Sequence, residues 1–327
     1  MNQEGEIVNI IAGKRSKTID AVCGLAIGDA VGVPVEFKTR LTLKDNPLTD
    51  MIGYGTHKQP AGTWSDDTSM TLATMDSINE CGEIDYEDIM KRFADWFKYA
   101  KYTATGVFFD IGIVTRTAIE RYLYGEDAIR CGESGIRSNG NGSLMRIIPI
   151  VLYSYYKDLD EEAEIVLINN VSSLTHAHEI SRLGCKIYSD YVKSILNGQS
   201  GEEAFYGLNI ENYRSHYSED SIEYYRRILD RSLMESEEYD IRSSGFIVDT
   251  LEASLWCILN SADYKEAVLK AVNLGADTDT VGSVTGSIAG ILYGYDNIPE
   301  NWRDGLKSRE YLLEICRKFD GVMSQDR

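Results

Sequence analysis

Residues 280–294 read TVGSVTGSIAGILYG and residues 24–32 read GLAIGDAVG, and both stretches carry glycine at every fourth position. Residues four apart lie on one face of an α-helix. Each glycine costs a helix about 1 kcal/mol relative to alanine, a cost that makes sense where a second backbone comes very close. GLAIGDAVG follows no predicted strand and lacks the GxGxxG spacing of a nucleotide-binding loop. The pattern therefore predicts two helices that lie in the core and pack against each other. The glycines concerned are Gly24, Gly28 and Gly32 in the first helix and Gly282, Gly286, Gly290 and Gly294 in the second.

Helical spacing of apolar residues continues through most of the chain of 327 residues. Clear examples are YEDIMKRFADWFKYA at 86–100 and IEYYRRILDRSLM at 222–234. Alternating runs typical of strands are not convincing anywhere. The sequence therefore predicts an all-α fold and a single domain over residues 1–327, with its motif-bearing core at about residues 19–294. Residues 207–245 are polar and rich in tyrosine, and we interpret them as a surface excursion that contains one helix.

Charge and composition exclude several classes of partner. The chain has 52 acidic and 33 basic residues, which gives a net charge of −19. This balance disfavours nucleic acids and anionic membranes and suits a site that binds cations. The six cysteines lack the spacing of metal ligands, and we expect buried, reduced thiols. The N-terminal residues lack a secretory-signal pattern, and apolar runs such as 146–156 and 286–294 are too short to cross a bilayer. A cytoplasmic protein is expected.

Two predicted helix starts combine carboxylates with hydroxyl groups, in GTWSDDTSM at 62–70 and GADTDTVGS at 275–283. Either start alone is typical of an ordinary N-cap and first helical turn. Because both adjoin small-residue helices suited to burial, their four aspartates would repel one another and raise one another's pKa values if they met. One or two divalent cations would remove that conflict. A set of oxygen ligands selects Mg²⁺, Mn²⁺ or Ca²⁺ over Zn²⁺.

Three other segments have both a functional and a structural interpretation. Glu36 follows Pro34, which ends the first glycine-spaced helix, and it is either a site residue or a partly buried glutamate paired with an arginine. RSNGNGSLMR at 137–146 requires unusual backbone angles, and its amides either bind phosphate at a helix start or only form turns. SLTHAHEIS at 173–181 contains His176 and His178, of which one could cap the following helix.

The chain resembles the ADP-ribosylglycohydrolase family, whose motifs occur here in the family's order between about Ile19 and Gly294. The motifs are GLAIGDAVGVPVEF, GTWSDDTSM, FFDIGIVTRTAI, NGNGSLMR, LTHAHEIS and GADTDTVGSVTGSIAGILYG. The resemblance implies an orthogonal multi-helix bundle with a binuclear Mg²⁺ (or Mn²⁺) centre in a cleft. The implied metal ligands are Ser65, Asp66, Asp67, Asp277, Asp279 and Thr280. The family usually has threonine where this chain has Ser65, and the hydroxyl group is kept.

The resemblance also implies roles in substrate binding and catalysis. Glu36 matches a glutamate near the metals, and either Glu36 or a metal-binding aspartate such as Asp279 would position or deprotonate the attacking water. The implied substrate-binding residues are Asp110, Ser138, Asn139, Gly140, Asn141, Gly142 and His176. The loop at 138–142 would contact the diphosphate and nearby ribose of ADP-ribose. Asp110 would lie near the leaving group, but Ile113 stands where arginine-specific bacterial members tend to have a polar residue.

The reaction implied by the resemblance is hydrolysis of the bond between C1″ of ADP-ribose and an acceptor. Its transition state should resemble an oxocarbenium ion, as in other glycoside hydrolyses. The expected partners are an ADP-ribosylated protein or a small ADP-ribose derivative such as O-acetyl-ADP-ribose, since one pocket would serve both. A non-catalytic ADP-ribose-binding protein is a further alternative, but such a protein should lack metal carboxylates that this chain retains.

Overall fold

The structure, a computed structural model, describes residues 15–325. In chain order the α-helices of this part are α1 (Lys17–Gly32), α2 (Arg40–Asp45), α3 (Asp66–Cys81), α4 (Tyr86–Tyr99), α5 (Ile113–Leu123), α6 (Ile148–Tyr156), α7 (Glu161–Ser173), α8 (Glu179–Leu196), α9 (Gly201–Gly207), α10 (Ile210–Arg214), α11 (Glu219–Tyr224), α12 (Arg226–Leu229), α13 (Ile247–Leu259), α14 (Tyr264–Asn273), α15 (Thr278–Tyr293), α16 (Glu300–Gly305) and α17 (Arg309–Ser324). Short 3₁₀-helices include Val33–Val35 and Asn141–Arg146. The structure is 67% helical, and β-pairing within residues 15–325 is limited to isolated bridges. The predicted all-α fold is confirmed.

The two glycine-spaced helices, α1 and α15, lie side by side in the core. A methyl group added to Gly24 would stand 2.3 Å from the Gly286 carbonyl oxygen, and one on Gly28 would stand 2.0 Å from the Gly282 carbonyl oxygen. No side chain larger than hydrogen fits between backbones that are this close. The predicted packing of these helices is confirmed, except that Gly294 ends α15 with a φ of +94° and lies beyond the contact.

Other helices pack around this central pair. Helices α13 and α14 lie against α15, while α3 and α17 lie against α1. Buried apolar side chains between Ala21 and Met323 form one continuous core. Because α1 and α15 are covered on several sides, the polar residues at their ends are also drawn into the interior, and this places the candidate site.

The helix predicted at 222–234 is wrong, because the chain forms several short helices there. Helix α11 ends at Tyr224, α12 ends at Leu229, and a 3₁₀-helix spans Ser232–Glu235. Between the last two, Arg231 has a φ of +73°. A left-handed residue cannot continue a right-handed helix, so the helical pattern is interrupted at this point.

The segment at 207–245 contains several short helices where one was predicted, and although most of its residues are at least partly exposed, buried tyrosines anchor it to the core. The side chains of Tyr213 and Tyr225 are 2% and 0% exposed, and the segment packs against α8 and α13. The Tyr225 hydroxyl donates to the Ile180 carbonyl oxygen at 2.7 Å, and the Tyr213 hydroxyl donates to Asp190 at 2.8 Å. Tyrosine rings are apolar apart from one polar atom, so they can be buried when that atom finds a partner.

Two further expectations require correction. Five of the cysteines are buried, but Cys81, the last residue of α3, is exposed. The segment Lys17–Val35 is long and apolar enough to cross a membrane by length and composition, so the view that the apolar runs are too short is wrong for it. Within the fold, 94% of this segment's most apolar window is buried, as is typical of the core helix of a water-soluble fold.

Candidate active site

Ser65, Asp66 and Asp67 lie where α3 begins. Ser65 is the N-cap residue, and its hydroxyl oxygen accepts a hydrogen bond from the Asp67 amide at 3.3 Å. The simpler interpretation of the motif, a helix cap, therefore holds. However, the side chains of Asp66 and Asp67 are only 5% and 1% exposed. A cap alone does not require buried carboxylates, so their burial calls for a second explanation.

Asp29, in the last turn of α1, holds the start of α3 in place. Its carboxylate accepts hydrogen bonds from the Ser65 amide at 2.9 Å, the Thr68 amide at 3.1 Å and the Thr68 hydroxyl at 2.6 Å. Burial raises the pKa of Asp29 to about 7, although these hydrogen bonds lower it. Sequence analysis missed this residue. An aspartate inside the otherwise apolar GLAIGDAVG is the signal that could have revealed it.

Helix α15 begins next to α3, and Asp67 joins the two. The Thr280 hydroxyl donates to Oδ2 of Asp67 at 3.4 Å, and the Ser283 hydroxyl donates to Oδ1 of the same carboxylate. Asp279 is 1% exposed and Thr280 is 5% exposed. The structure therefore brings together the two acidic helix starts. Ser283, which sequence analysis did not single out, adds a second hydroxyl on the same face of α15.

Glu36 lies just after the 3₁₀-helix at the end of α1 and is 4% exposed. One carboxylate oxygen from each of Glu36, Asp277 and Asp279 lies within 4.8 Å of the others. The Glu36 carboxylate also forms a hydrogen bond with Nε2 of His57. The alternative that Glu36 pairs with an arginine is therefore wrong. Sequence analysis missed His57, which lies in a loop that carries no recognisable motif.

Burial and mutual repulsion dominate the electrostatics of this cluster. Burial raises the pKa of Glu36 to about 7, and the charges of Asp110 and Asp277 act in the same direction. The pKa values of Asp66, Asp67 and Asp279 are raised well above normal, first by burial and then by neighbouring carboxylates. The Glu36 hydrogen bond raises the pKa of His57. Within residues 15–325, carboxylates outnumber the cationic side chains of this cluster, so the cluster is suited to bind a cation.

The loop at 138–142 is tied to the acidic cluster through Asn141. The side-chain amide nitrogen of Asn141 donates to Asp277 Oδ2 at 2.9 Å and to Thr250 Oγ1 at 2.8 Å. Asn139 is turned away, because its side chain donates to the Ile136 carbonyl oxygen at 2.9 Å and accepts from Ser181 at 2.8 Å. These contacts give the asparagine side chains positioning roles, and the backbone of the loop is itself held in place, because the Asn141 amide donates to the Gly245 carbonyl oxygen at 3.0 Å.

His176 is the predicted substrate-contacting histidine that the structure places beside this loop. A methyl group on Gly142 would stand 2.8 Å from Cε1 of His176, and one on Gly140 would stand 3.3 Å from Nε2. His178 has a different role from His176. It is the N-cap residue of α8, and its Nδ1 accepts a hydrogen bond from the Ile180 amide at 3.2 Å. The expectation that one of the two histidines caps a helix agrees with this geometry.

Asp110 reaches the same cluster from the segment before α5. One ligand atom from each of Asp110, Glu36 and His57 lies within 4.8 Å of the others. Asp110 has a φ of +56°, an uncommon backbone conformation for a residue with a side chain. The His57 ring lies 5.3 Å from that of Phe109 and 6.1 Å from that of Phe37, measured between centroids. An aromatic group of three rings therefore borders the carboxylates.

Two residues with predicted importance lie further out. Ile113, the first residue of α5, is 84% exposed. Ser138 is partly exposed, and its amide donates to the Gly135 carbonyl oxygen at 2.9 Å. Neither side chain makes a hydrogen bond to the acidic cluster among the described residues. Their roles at the site stay predictions.

Comparison with known proteins agrees with the fold and the site motifs. The ADP-ribosylglycohydrolase family model matches residues 11–327. The ADP-ribosylarginine hydrolase Tri1 of Serratia proteamaculans is 33% identical over 309 residues, which cover 93% of this chain and 78% of that protein. The ADP-ribosyl-[dinitrogen reductase] glycohydrolase of Rhodospirillum rubrum is 29% identical over 94% of this chain and 96% of that protein. A solved ADP-ribosylglycohydrolase-related protein complex superposes with a TM-score of 0.78, at 29% identity, over 94% of this chain and 98% of that chain. With a match over nearly its whole length, the chain belongs to the ADP-ribosylglycohydrolase family and is a glycosidic hydrolase.

Proposed function

We propose that this protein catalyses the metal-assisted hydrolysis of the bond between C1″ of ADP-ribose and the side chain of a modified protein. The observation that carries the proposal is the meeting of two acidic helix starts: Asp67 of α3 accepts hydrogen bonds from Thr280 and Ser283 of α15. Glu36 joins Asp277 and Asp279 in the same cluster. A buried cluster of carboxylates and hydroxyls beside a glycine-rich loop supports both cation binding and recognition of a phosphorylated sugar.

The residues of the cluster fit a hard divalent cation. The proposed ligands supply only carboxylate and hydroxyl oxygens, which Mg²⁺ and Mn²⁺ prefer. They are Ser65, Asp66, Asp67, Asp277, Asp279 and Thr280. The raised pKa values of Asp66, Asp67 and Asp279 have burial and repulsion as their causes, and positive charge relieves the repulsion. When bound, divalent cations supply Lewis acidity and favour ionisation of water near neutral pH.

Glu36 is the proposed base or water-positioning group. Cleavage breaks the bond from C1″ to the acceptor atom, forms a bond from C1″ to a water oxygen, and moves one proton from that water to the acceptor. Glu36 is buried beside the cluster and can hold that proton. The hydrogen bond from His57 fixes one oxygen of Glu36, which leaves the other oxygen free to face the water. Asp279 is the alternative carboxylate for this role.

The first candidate for the acceptor is arginine. The Serratia relative is named for ADP-ribosylarginine, and the borders of this cluster suit a guanidinium group. Asp110 offers a carboxylate next to Glu36, and the Phe37 and Phe109 rings flank His57, where planar cations stack favourably. Exposed Ile113 argues for the second candidate, a small ADP-ribose derivative, because an apolar residue at this place gives a guanidinium no hydrogen-bond acceptor.

Asp66→Asn and Asp279→Asn test the proposal. With Mg²⁺ or Mn²⁺ supplied, we expect both variants to release no measurable ADP-ribose from ADP-ribosylated arginine peptides, and to keep wild-type helical circular dichroism. Asp296→Asn is the matched control, because the side chain of Asp296 is 95% exposed and its loss should leave activity unchanged. Full activity in both site variants would refute the proposed metal centre. ADP-ribose binding without turnover by the wild type on any substrate would instead favour a binding protein.

A further inference from the structure

Arg146 is a fully buried arginine at the end of the 3₁₀-helix that continues from the 138–142 loop. Its guanidinium carbon lies 4.7 Å from the centre of the Phe93 ring, and its Nη2 donates to the Val171 carbonyl oxygen at 3.2 Å. Burial lowers the pKa of Arg146 to about 10, so the side chain is still a cation near neutral pH. A buried cation that makes so few contacts to acceptors requires an explanation beyond packing.

The remaining bond of Arg146 leads to the candidate site. Nη2 of Arg146 donates to the Thr175 hydroxyl oxygen at 2.9 Å, and that hydroxyl lies 2.8 Å from Nδ1 of His176. Thr175 is 0% exposed and His176 is 2% exposed. The three side chains therefore form a buried chain of hydrogen bonds, and the ring of His176 is the member that reaches the loop.

The direction of these hydrogen bonds follows from their donors. Arginine has no acceptor atom, so the Thr175 oxygen must accept from Arg146. Among residues 15–325 these are the two hydrogen bonds of the Thr175 hydroxyl, so its single hydrogen is satisfied only by donation to Nδ1 of His176. Burial and the nearby Arg146 charge lower the pKa of His176 to about 3, which makes the ring neutral. A neutral ring that accepts at Nδ1 carries its hydrogen on Nε2.

The Nε2 edge of the ring faces the glycines of the loop. A methyl group on Gly140 would stand 3.3 Å from Nε2, and one on Gly142 would stand 3.4 Å from the same atom. We propose that Arg146 and Thr175 are positioning residues that hold His176 in the tautomer with its hydrogen on Nε2, so that the ring donates a hydrogen bond to an oxygen of ADP-ribose bound at residues 140–142. The tautomer follows from the hydrogen-bond geometry, with the lowered pKa in agreement, while the ligand rests on the proposed function.

Long-range ¹H–¹⁵N NMR of the full-length protein with ¹⁵N-labelled histidine tests this inference. His176→Gln assigns the His176 resonances by their loss. We expect wild-type His176 to show a protonated Nε2 and a bare Nδ1 near neutral pH. Thr175→Val keeps the shape of the side chain but removes the hydroxyl, so it should allow the other tautomer to appear. Thr175→Ser retains the hydroxyl and should preserve the wild-type spectrum.

Calorimetry with ADP-ribose supplies the second measurement. We expect the affinity to fall about tenfold in Thr175→Val, the usual scale for one hydrogen bond to a charged group, and to stay within about twofold of wild type in Thr175→Ser. A wild-type spectrum with the hydrogen on Nδ1, or an unchanged tautomer in Thr175→Val, would overturn the inference. The wild-type spectrum decides the question even if Thr175→Val does not fold. Absence of ADP-ribose binding by the wild type would overturn the proposed function and leave the tautomer result intact.

Discussion

Gly28→Ala is the sharpest test of how the fold positions the site. A methyl group at this position would lie 2.0 Å from the carbonyl oxygen of Gly282 and 2.7 Å from its carbonyl carbon. Non-bonded heavy atoms prefer to be about 3.5 Å apart, so α1 and α15 would have to separate by roughly 1 Å or more. The obstacle is backbone on a second helix, which cannot rotate away as a side chain can.

The size of the effect follows from two opposing terms. Overpacking a core typically costs about 1–3 kcal/mol, and a clash between backbones belongs at the upper end of that range. Alanine offsets about 1 kcal/mol of this through its higher helix propensity. We therefore expect Gly28→Ala to lower the free energy of unfolding by about 2 kcal/mol, with a fall in melting temperature of roughly 3 °C.

Gly321→Ala in α17 is the matched control, because a methyl group there meets nothing within 4 Å. This variant should gain up to about 1 kcal/mol from helix propensity alone, so urea unfolding should separate the two variants by about 3 kcal/mol. Gly28→Ala should also lose turnover, because α1 leads to Glu36 and α15 carries Asp279. If Gly28→Ala proves as stable as Gly321→Ala, the close backbone contact between α1 and α15 is wrong.

Two other predictions concern the carboxylates. Glu36→Gln should lower the rate of hydrolysis about 10²-fold. Calorimetry should show that the variant retains its affinities for Mg²⁺ and ADP-ribose. Loss of Mg²⁺ binding would instead make Glu36 part of the cation site. In metal-free protein, burial raises the pKa of Glu36 to about 7 and raises those of Asp66 and Asp279, so the folded state keeps protons that the unfolded chain releases. Stability without metal should therefore fall as pH rises from about 5 through about 7. Melting temperatures with chelator and with Mg²⁺ should differ more at about pH 7.5 than at about pH 5.5, and an equal difference would contradict the idea.

Sequence patterns predicted the parts of the structure that depend on local spacing. The four-residue glycine period identified α1 and α15, because only a close backbone contact justifies so many helix-weakening residues. The acidic helix starts at Asp66 and Asp279 were found because hydroxyl and carboxylate residues cluster there in short motifs. Both kinds of signal lie within a few residues along the chain, where helical geometry fixes neighbours directly.

Contacts between distant segments could not be predicted in this way. His57 meets Glu36 only because the loop at 46–65 folds back over the end of α1. Asp29 looks like an isolated polar residue in a core helix, and its partners Ser65 and Thr68 become visible only when α3 is placed. The left-handed conformation of Arg231 is equally hidden, since no glycine or asparagine marks it.

The glycine contact between α1 and α15 also restricts how the enzyme can move. Carbonyl groups of each helix occupy the space that the glycines leave in the other helix. This contact extends to Gly32 at the end of α1, where a methyl group would stand 2.3 Å from the Thr278 carbonyl oxygen. Sliding one helix along the other would bring larger side chains against backbone until a full four-residue step of about 6 Å is complete. Small axial shifts are therefore disfavoured, and van der Waals contact between the two backbones sets the distance between the end of α1 and the start of α15. Any rearrangement around a substrate is therefore expected in segments outside this helix pair, such as the loops that carry His57, Asp110 and Asn141.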